Sequence, residues 1–290
     1  MIKKISQILK EKERTYSFEF FPPKTEKGRQ KLPEVARIFK QMGADWFSVT
    51  YGAGGSTREA TMEIVDELQE KFDIPVMHHF TCVGHSQEEL KKILEKMKKN
   101  NIRNILALRG DAPEGEEFWT PAPDGLEYCY QLIELIKEHG DFFSIGVAGF
   151  PEGHIHCPDK DTDTKYLKIK IDKGGEFVIT QLFFDNKDYF EYVERARKAG
   201  VRVKILPGVL TITNYKTLLK FCGTCGATIP QKIHDIFKPL EGDDEAVYKA
   251  GVDFAAEQCR ELLKGGAPGL HFYSLNKVEP TREVLNKVRT

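Results

Sequence analysis

Short apolar runs recur along the chain, with amphipathic stretches between them. Eight runs read as strands: Thr15–Phe20, Trp46–Thr50, Val76–Thr81, Ile102–Arg109, Phe143–Ala148, Phe177–Phe183, Val203–Val209 and Gly269–Ser274. Apolar residues at three- and four-residue spacing between them predict helices over 30–42, 58–71, 87–100, 124–139, 162–173 and 187–198. Three helical segments follow the seventh run, around 214–221, 230–238 and 245–263, and a last helix spans 279–288. Residues 1–12 form a further amphipathic helix ahead of the first strand. Strand alternating with helix implies parallel pairing and right-handed crossovers. Eight such units predict an α/β fold of (β/α)8 TIM-barrel type, with an extra N-terminal helix and extra helices after strand 7. An open doubly wound sheet is the structural alternative. No Pro/Gly/Ser-rich linker divides the chain, so residues 1–290 read as a single (β/α)8 catalytic domain.

Helix ends have visible causes. Ser56-Thr57-Arg58-Glu59 and Ser86 before Gln87-Glu88-Glu89 look like N-terminal caps. Gly140, Gly200 and Gly265 follow helical runs, where a left-handed cap favours glycine.

Composition narrows the class. Charged residues are 30% of the chain and the net charge is −1, so nothing points to nucleic acid or an anionic membrane. No apolar run approaches the roughly 20 residues of a membrane span. The first helix has no apolar signal core, and the six cysteines lack disulfide-scaffold spacing. A cytoplasmic protein is the expectation.

Polar residues at the strand ends carry the candidate chemistry. In Ser17-Phe18-Glu19-Phe20-Phe21-Pro22-Pro23, Glu19 shares a face with Ser17, and two prolines end the strand. A carboxyl in an apolar strand, its pKa raised by burial, suits a general acid. A strand-end Glu reaching water fits the same pattern. In a barrel, the C-terminal strand ends gather Glu19, Thr50, His79, Arg109, Asp111, Gln181 and Tyr273 on one rim. His78 and His79 are adjacent, so they face opposite ways. Arg109 can hold a phosphate or a polar ring edge, and Asp111 can pair with a cationic or NH-rich group. Gly52-Ala53-Gly54-Gly55 could cradle a phosphate, or be only a loop. His154, His156 and Cys157 with Asp159, Asp161 and Asp163 have metal-ligand types, yet read as a polar rim loop. Cys222-x-x-Cys225 follows a helix after strand 7 and is expected on the face away from the strand ends; a single such pair is weak evidence for zinc or a cluster. No G-x-G-x-x-G follows a strand, and there is no P-loop, nucleophile elbow or H-E-x-x-H.

Six segments together resemble the methylenetetrahydrofolate reductase family: Ser17–Pro23, Ser48–Gly52, Leu106–Asp111, Ile179–Phe184, Leu206–Val209 and His271–Asn276. They run in order from the first strand to the eighth. The resemblance implies a (β/α)8 barrel that binds FAD at its C-terminal rim. It implies reduction of 5,10-methylenetetrahydrofolate to 5-methyltetrahydrofolate with NADH or NADPH, by a ping-pong route that serves methionine biosynthesis. Some relatives instead take electrons from an iron–sulfur partner subunit, and homo-oligomers are common in the family. A metal-bearing barrel using Cys222, Cys225, His154 and His156 is a distant alternative. By resemblance, Glu19 matches the general acid, and Asp111 the carboxylate near flavin and pterin that favours a cationic iminium. Gln181 matches the amide that holds the pterin. Thr50, His79, Arg109, Gly110, Ala148, Asp163 and Lys170 match FAD-contacting positions. The sequence also departs from the family. Tyr215 replaces a Phe that packs on the bound ring. Phe150 replaces the Tyr of a Tyr-Pro-Glu motif near the flavin. Lys277 replaces an Arg that contacts folate.

Overall fold

The structure is a computed structural model and describes residues 2–51, 58–110 and 121–289. Among the described residues nine parallel strands form one sheet in the order β7-β6-β5-β4-β3-β2-β1-β9-β8. They are β1 Thr15–Phe20, β2 Trp46–Val49, β3 Val76–Thr81, β4 Asn104–Leu108, β5 Ser144–Gly149, β6 Phe177–Thr180, β7 Lys204–Leu206, β8 Gly208–Val209 and β9 Gly269–Tyr273. The helices are α1 Ile5–Glu11, α2 Glu26–Gln41, α3 Arg58–Phe72, α4 Gln87–Lys99, α5 Cys129–Lys137, α6 Lys160–Asp172, α7 Asn186–Lys198, α8 Tyr215–Cys225, α9 Gln231–Phe237, α10 Asp244–Lys264 and α11 Val278–Arg289. This is a nearly closed TIM-like barrel, as the alternation of elements implies.

The ninth strand arises because Pro207 splits the run expected as one strand over 203–209. Proline has no N–H to give to a ladder. β7 pairs with β6, and β8 pairs with β9 across the break. Two bonds bridge the interruption: the His271 N–H donates to the Pro207 carbonyl (3.0 Å), and the Gly208 N–H donates to Thr180 Oγ1 (3.0 Å). A Cβ on Gly208 would lie 2.4 Å from the Thr180 carbonyl oxygen, so the crossing requires glycine.

Period-two alternation divides the strand side chains into two sets. Outward residues such as Phe18, Phe20, Phe47 and Phe272 pack under the helices, with Phe18 stacked on Phe39 of α2 at 4.4 Å between centroids. Inward residues Trp46, Met77, Leu106, Phe177, Ile179 and Leu206 fill the lumen. The apolar stripe of α1, Ile5, Ile8 and Leu9, joins this inner set and plugs the N-terminal end of the barrel. Two amides of its first turn are satisfied by strand-start side chains: Ile5 N–H donates to Asn104 Oδ1 (2.7 Å) and Ser6 N–H to Ser144 Oγ (3.1 Å). α8, α9 and α10 pack a second apolar cluster around Leu182, Leu210, Ile212, Tyr215 and Phe237, with Tyr273 and Leu275 at its edge.

Ser86 caps α4 as expected, accepting from the Glu89 N–H at 3.2 Å while Glu89 accepts from the Ser86 N–H at 2.9 Å. The expected cap at Ser56 lies outside the described residues. Gly140 and Gly200 adopt positive φ after their helices, but Gly265 does not: φ is −76° there and +91° at Gly266. Gly265 meets a different demand, since a Cβ would lie 2.2 Å from the Phe190 ring. The helix expected over 124–139 shortens to α5, and among the described residues no helix is long and apolar enough to cross a membrane.

Replacing Asn104 by Ala strands the Ile5 amide and also removes the bond from Asn104 Nδ2 to the Lys3 carbonyl (3.1 Å). Asn104→Ala is expected to lower unfolding stability by about 1–3 kcal/mol in a urea titration. An unchanged midpoint would show that the plug does not depend on this anchor.

Candidate active site

With the N-terminal end plugged, the C-terminal ends of the strands carry the polar groups. Glu19 sits near the end of β1, and its register partners are Ser48 on β2 and Tyr273 on β9. Its side chain is 5% exposed. One carboxylate oxygen, Oε2, is the focus of three neighbours. His79 Nε2 lies 3.2 Å away, His271 Nε2 3.4 Å away, and Ser48 Oγ donates at 3.4 Å. Ser17, one step below Glu19 on the same face, bonds His271 Nδ1 at 2.8 Å and fixes the ring from behind. Ser274 Oγ donates to the Glu19 carbonyl at 2.5 Å.

This arrangement overturns the expectation of a raised Glu19 pKa. Burial does push the carboxyl up. The charge of His79 and the hydrogen bond with His271 outweigh it and bring the carboxyl down to about 2. Glu19 is therefore anionic at neutral pH. The adjacent His78 faces the opposite way, as the strand requires. It packs near Tyr51 and Phe80, where burial lowers its pKa to about 3 and keeps it neutral.

Around this centre lie the other expected residues. Gln181 follows β6 directly, half-buried, its Oε1 accepting from the Leu182 N–H at 2.9 Å. Tyr273 donates from its hydroxyl to the Thr180 carbonyl at 2.6 Å. Thr50 follows β2 directly, bonded through its N–H to the Phe20 carbonyl at 2.9 Å. Arg109 and Gly110 follow β4, and Gly110 needs its φ of +94°. Lys170 of α6 donates to the Ala148 carbonyl at 2.6 Å and stands 5.8 Å from the Phe150 ring. Phe150 packs edge-on against His154 at 4.7 Å. Arg109, His156 and Lys170 add charge near His154, but burial comes first in lowering its pKa to about 4. Asp163 is buried on α6, its pKa raised by burial. Tyr215 begins α8, its hydroxyl 2.5 Å from His234 Nδ1 and its ring stacked with Phe237. Lys277 is exposed after β9. Asp111 and Gly52–Gly55 lie outside the described residues.

The loop reading of 154–163 gains a structural role for Asp159, which caps α6 by accepting from the Thr162 N–H at 2.7 Å. Among the described residues no three His, Cys, Asp or Glu side chains are grouped to hold a metal ion. Cys222 and Cys225 are not on the face away from the strand ends. α8 folds back over the mouth, so both belong to the apolar cluster that reaches Leu182 and Tyr273.

Sequence reasoning did not single out His271, Ser48 or Ser17 as parts of the site. The signal was present for His271: it alternates with Tyr273 on β9 and stands opposite Ser17, so it must face the lumen.

A parallel barrel whose C-terminal mouth holds a carboxylate clamped by two imidazoles, with cationic side chains near β4 and on α6, is the architecture of a barrel enzyme site. The comparisons name the family. The family model described as methylenetetrahydrofolate reductase matches residues 4–289, and the chain belongs to that family. It is 36% identical over 286 residues to "Methylenetetrahydrofolate reductase (NADH) 1" of Arabidopsis thaliana, covering 95% of this chain and 48% of that protein. It is 38% identical over 276 residues to "Methylenetetrahydrofolate reductase 1" of Schizosaccharomyces pombe, covering 94% of this chain and 46% of that one. The chain thus spans about half the length of these relatives. The 5,10-methylenetetrahydrofolate reductase of Salmonella typhimurium is 35% identical over 263 residues, covering 91% of this chain and 86% of that protein. A solved structure, an uncharacterised protein from Clostridium thermocellum described as binding two copies of 5-methyl-5,6,7,8-tetrahydrofolic acid, matches with a TM-score of 0.62 at 15% identity. It covers 97% of this chain and 96% of that one, and supports the fold.

The depressed Glu19 pKa has a thermodynamic consequence. An ionised group whose folded pKa lies below its unfolded value adds stability above the unfolded value, and loses it as pH falls through the folded one. Here the window runs from 4.5 down to about 2. The difference is worth about 3 kcal/mol. The stability gap between the native protein and Glu19→Gln, measured in urea, is expected to be widest near about pH 6 and to narrow through that window. A gap that does not change with pH would contradict the clamped carboxylate.

Proposed function

We propose that this chain reduces 5,10-methylenetetrahydrofolate to 5-methyltetrahydrofolate, with NAD(P)H as the reductant and FAD as the bound cofactor. Family membership supports the reaction class. The observation that carries the reading is the buried Glu19–His79–His271 cluster at the barrel mouth, an acid–base group where the reaction needs a proton.

The residues of the rim fit a flavin nucleotide. Arg109 and Lys170 form no ion pair with any carboxylate among the described residues, so two cations stand ready for an anionic or polar ligand edge. Thr81 Oγ1, buried on the lumen face of β3, has no hydrogen-bond partner there. Thr50, His79, Arg109, Gly110, Ala148, Phe150, Asp163 and Lys170 would hold the cofactor. When bound, FAD supplies the hydride transfer itself.

The protein's own contribution is to place the folate and manage a proton. Gln181 offers an amide that can pair with the pterin edge, Tyr215 an aromatic face, and Lys277 a cation for the folate. Asp111 is assigned by the family resemblance to electrostatic support of the cationic iminium. Opening the methylene bridge leaves a nitrogen that takes up a proton. In the free protein Glu19 is already ionised, so it takes up a proton before it serves as the acid. A proton taken up on Oε2 is held where the substrate nitrogen can receive it. Ser17 holds the His271 ring beside Glu19.

The names of relatives include both NADH and NADPH forms, so the donor is a matter for titration. An anaerobic visible spectrum followed by addition of each nucleotide tests the reading. A flavin spectrum bleached by one nucleotide and restored by methylenetetrahydrofolate is expected. A flavin bleached by neither would move the proposal to an electron-transfer partner subunit. A colourless protein that takes up no added FAD would overturn it.

Glu19→Gln separates the two half-reactions. Flavin reduction by the nucleotide is expected to stay near native, while folate reduction falls about 10²–10⁴-fold. Stopped-flow measurement of both halves decides: an equal fall in each would remove Glu19 from the proton-transfer role.

A further inference from the structure

We propose that Cys222 and Cys225 form a reversible dithiol–disulfide pair that reacts with low-molecular-weight disulfides, with Cys225 as the attacking thiol and Cys222 as the resolving one. The two cysteines are three residues apart in the last turns of α8, on one face of the helix, and the Cys225 thiol donates to the Cys222 carbonyl at 3.9 Å. Their environments differ as the two roles require. Cys222 is 3% exposed and belongs to the apolar cluster, while Cys225 is half-buried and reachable. The neighbouring Cys222 thiol and the Ala227 N–H both favour the thiolate form of Cys225. The Cys225 thiol is lowered and Cys222 is pushed up, each chiefly by the other. The more accessible sulfur, with its thiolate favoured, is the more nucleophilic of the pair.

The helix end makes ring closure feasible. Cβ atoms at this spacing stand about 5–6 Å apart in a regular α-helix, wider than a disulfide spans. The last turn of a helix tightens toward 3-10 geometry at little cost. α8 ends immediately after Cys225, with Gly226 in the left-handed conformation and its N–H bonded to the Cys222 carbonyl at 2.9 Å.

The pair is also coupled to the mouth of the barrel. The Ile155 side chain lies directly over Gly226, and the Thr228 N–H donates to both oxygens of Glu152, at 3.0 and 3.2 Å. Both contacts reach the loop after β5, which carries Phe150 and His154. Tightening the end of α8 therefore pulls on the segment proposed to hold the cofactor.

The chemistry balances as two exchanges. The Cys225 thiolate attacks one sulfur of the external disulfide, forms a mixed disulfide and expels one thiolate, which takes up the Cys225 proton. Cys222 then loses its proton and attacks Cys225 Sγ, expelling the second thiolate, which takes up that proton. The two cysteines lose two electrons and the external disulfide gains them. Neither folate nor flavin takes part, so the inference stands apart from the proposed reaction.

Anaerobic incubation of the full chain with oxidised glutathione, then alkylation and trypsin, reads the result on the peptide from Phe221 to Lys232. The native peptide is expected lighter by two hydrogens and restored by dithiothreitol. Cys222→Ser is expected to stop with one glutathione on Cys225. Cys225→Ser is expected to react at least roughly tenfold more slowly, because the remaining thiol is buried and protonated. A native peptide that stays reduced, or that carries glutathione without closing the ring, would overturn the proposal. So would a Cys225→Ser protein that reacts as fast as the native one.

Discussion

A carboxylate buried among aromatic and aliphatic side chains is among the most expensive groups a barrel can hold. The lumen around Glu19 is arranged to keep it. Two imidazoles and one hydroxyl converge on a single oxygen, from β3, β9 and β2. Those strands must sit in fixed register for the cluster to form, and β9 pairs with β8 only because Pro207 and Gly208 break the seventh strand and let its second half cross to the other neighbour. The N-terminal plug has a related effect. By closing one end with Ile5, Ile8 and Leu9, it leaves the C-terminal mouth as the side from which a ligand can approach Glu19.

The strand–helix order was legible because parallel strands buried on both faces leave continuous apolar runs, and the intervening helices leave a clear stripe. β1 and β3 match their expected bounds residue for residue, helped by flanking prolines and a clean change of composition. The break at Pro207 was visible as a proline within a run, yet the run's apolar character on either side concealed it. Glu19 stood out because it interrupts an aromatic strand. Its electrostatics did not, since pKa direction depends on partners 60 and 252 residues away in the chain. Burial alone argued for a raised value, and the two histidines reverse it.

The position of α8 shows a second limit. Helices after a barrel strand normally lie outside the sheet, which placed Cys222 and Cys225 away from the mouth. The apolar face of α8, with Tyr215 and Leu218, instead packs against Leu182 and Phe184 beyond the end of β6. The same fold-back brings Tyr215 to the mouth, held by His234, and puts a dithiol beside the loop that carries Phe150. A hydrophobic pattern reports that a face is buried; it does not say what covers it.

The claim on which the account turns is that Glu19 is ionised in the free protein. Infrared difference spectroscopy with carbon-13-labelled glutamate measures it directly, with Glu19→Gln assigning the band. The account expects the carboxylate band of Glu19 to persist through the ordinary carboxyl range and to fade only as pH approaches about 2. A protonated-carboxyl band present at neutral pH and lost in the variant would contradict it, and would make Glu19 the resting acid.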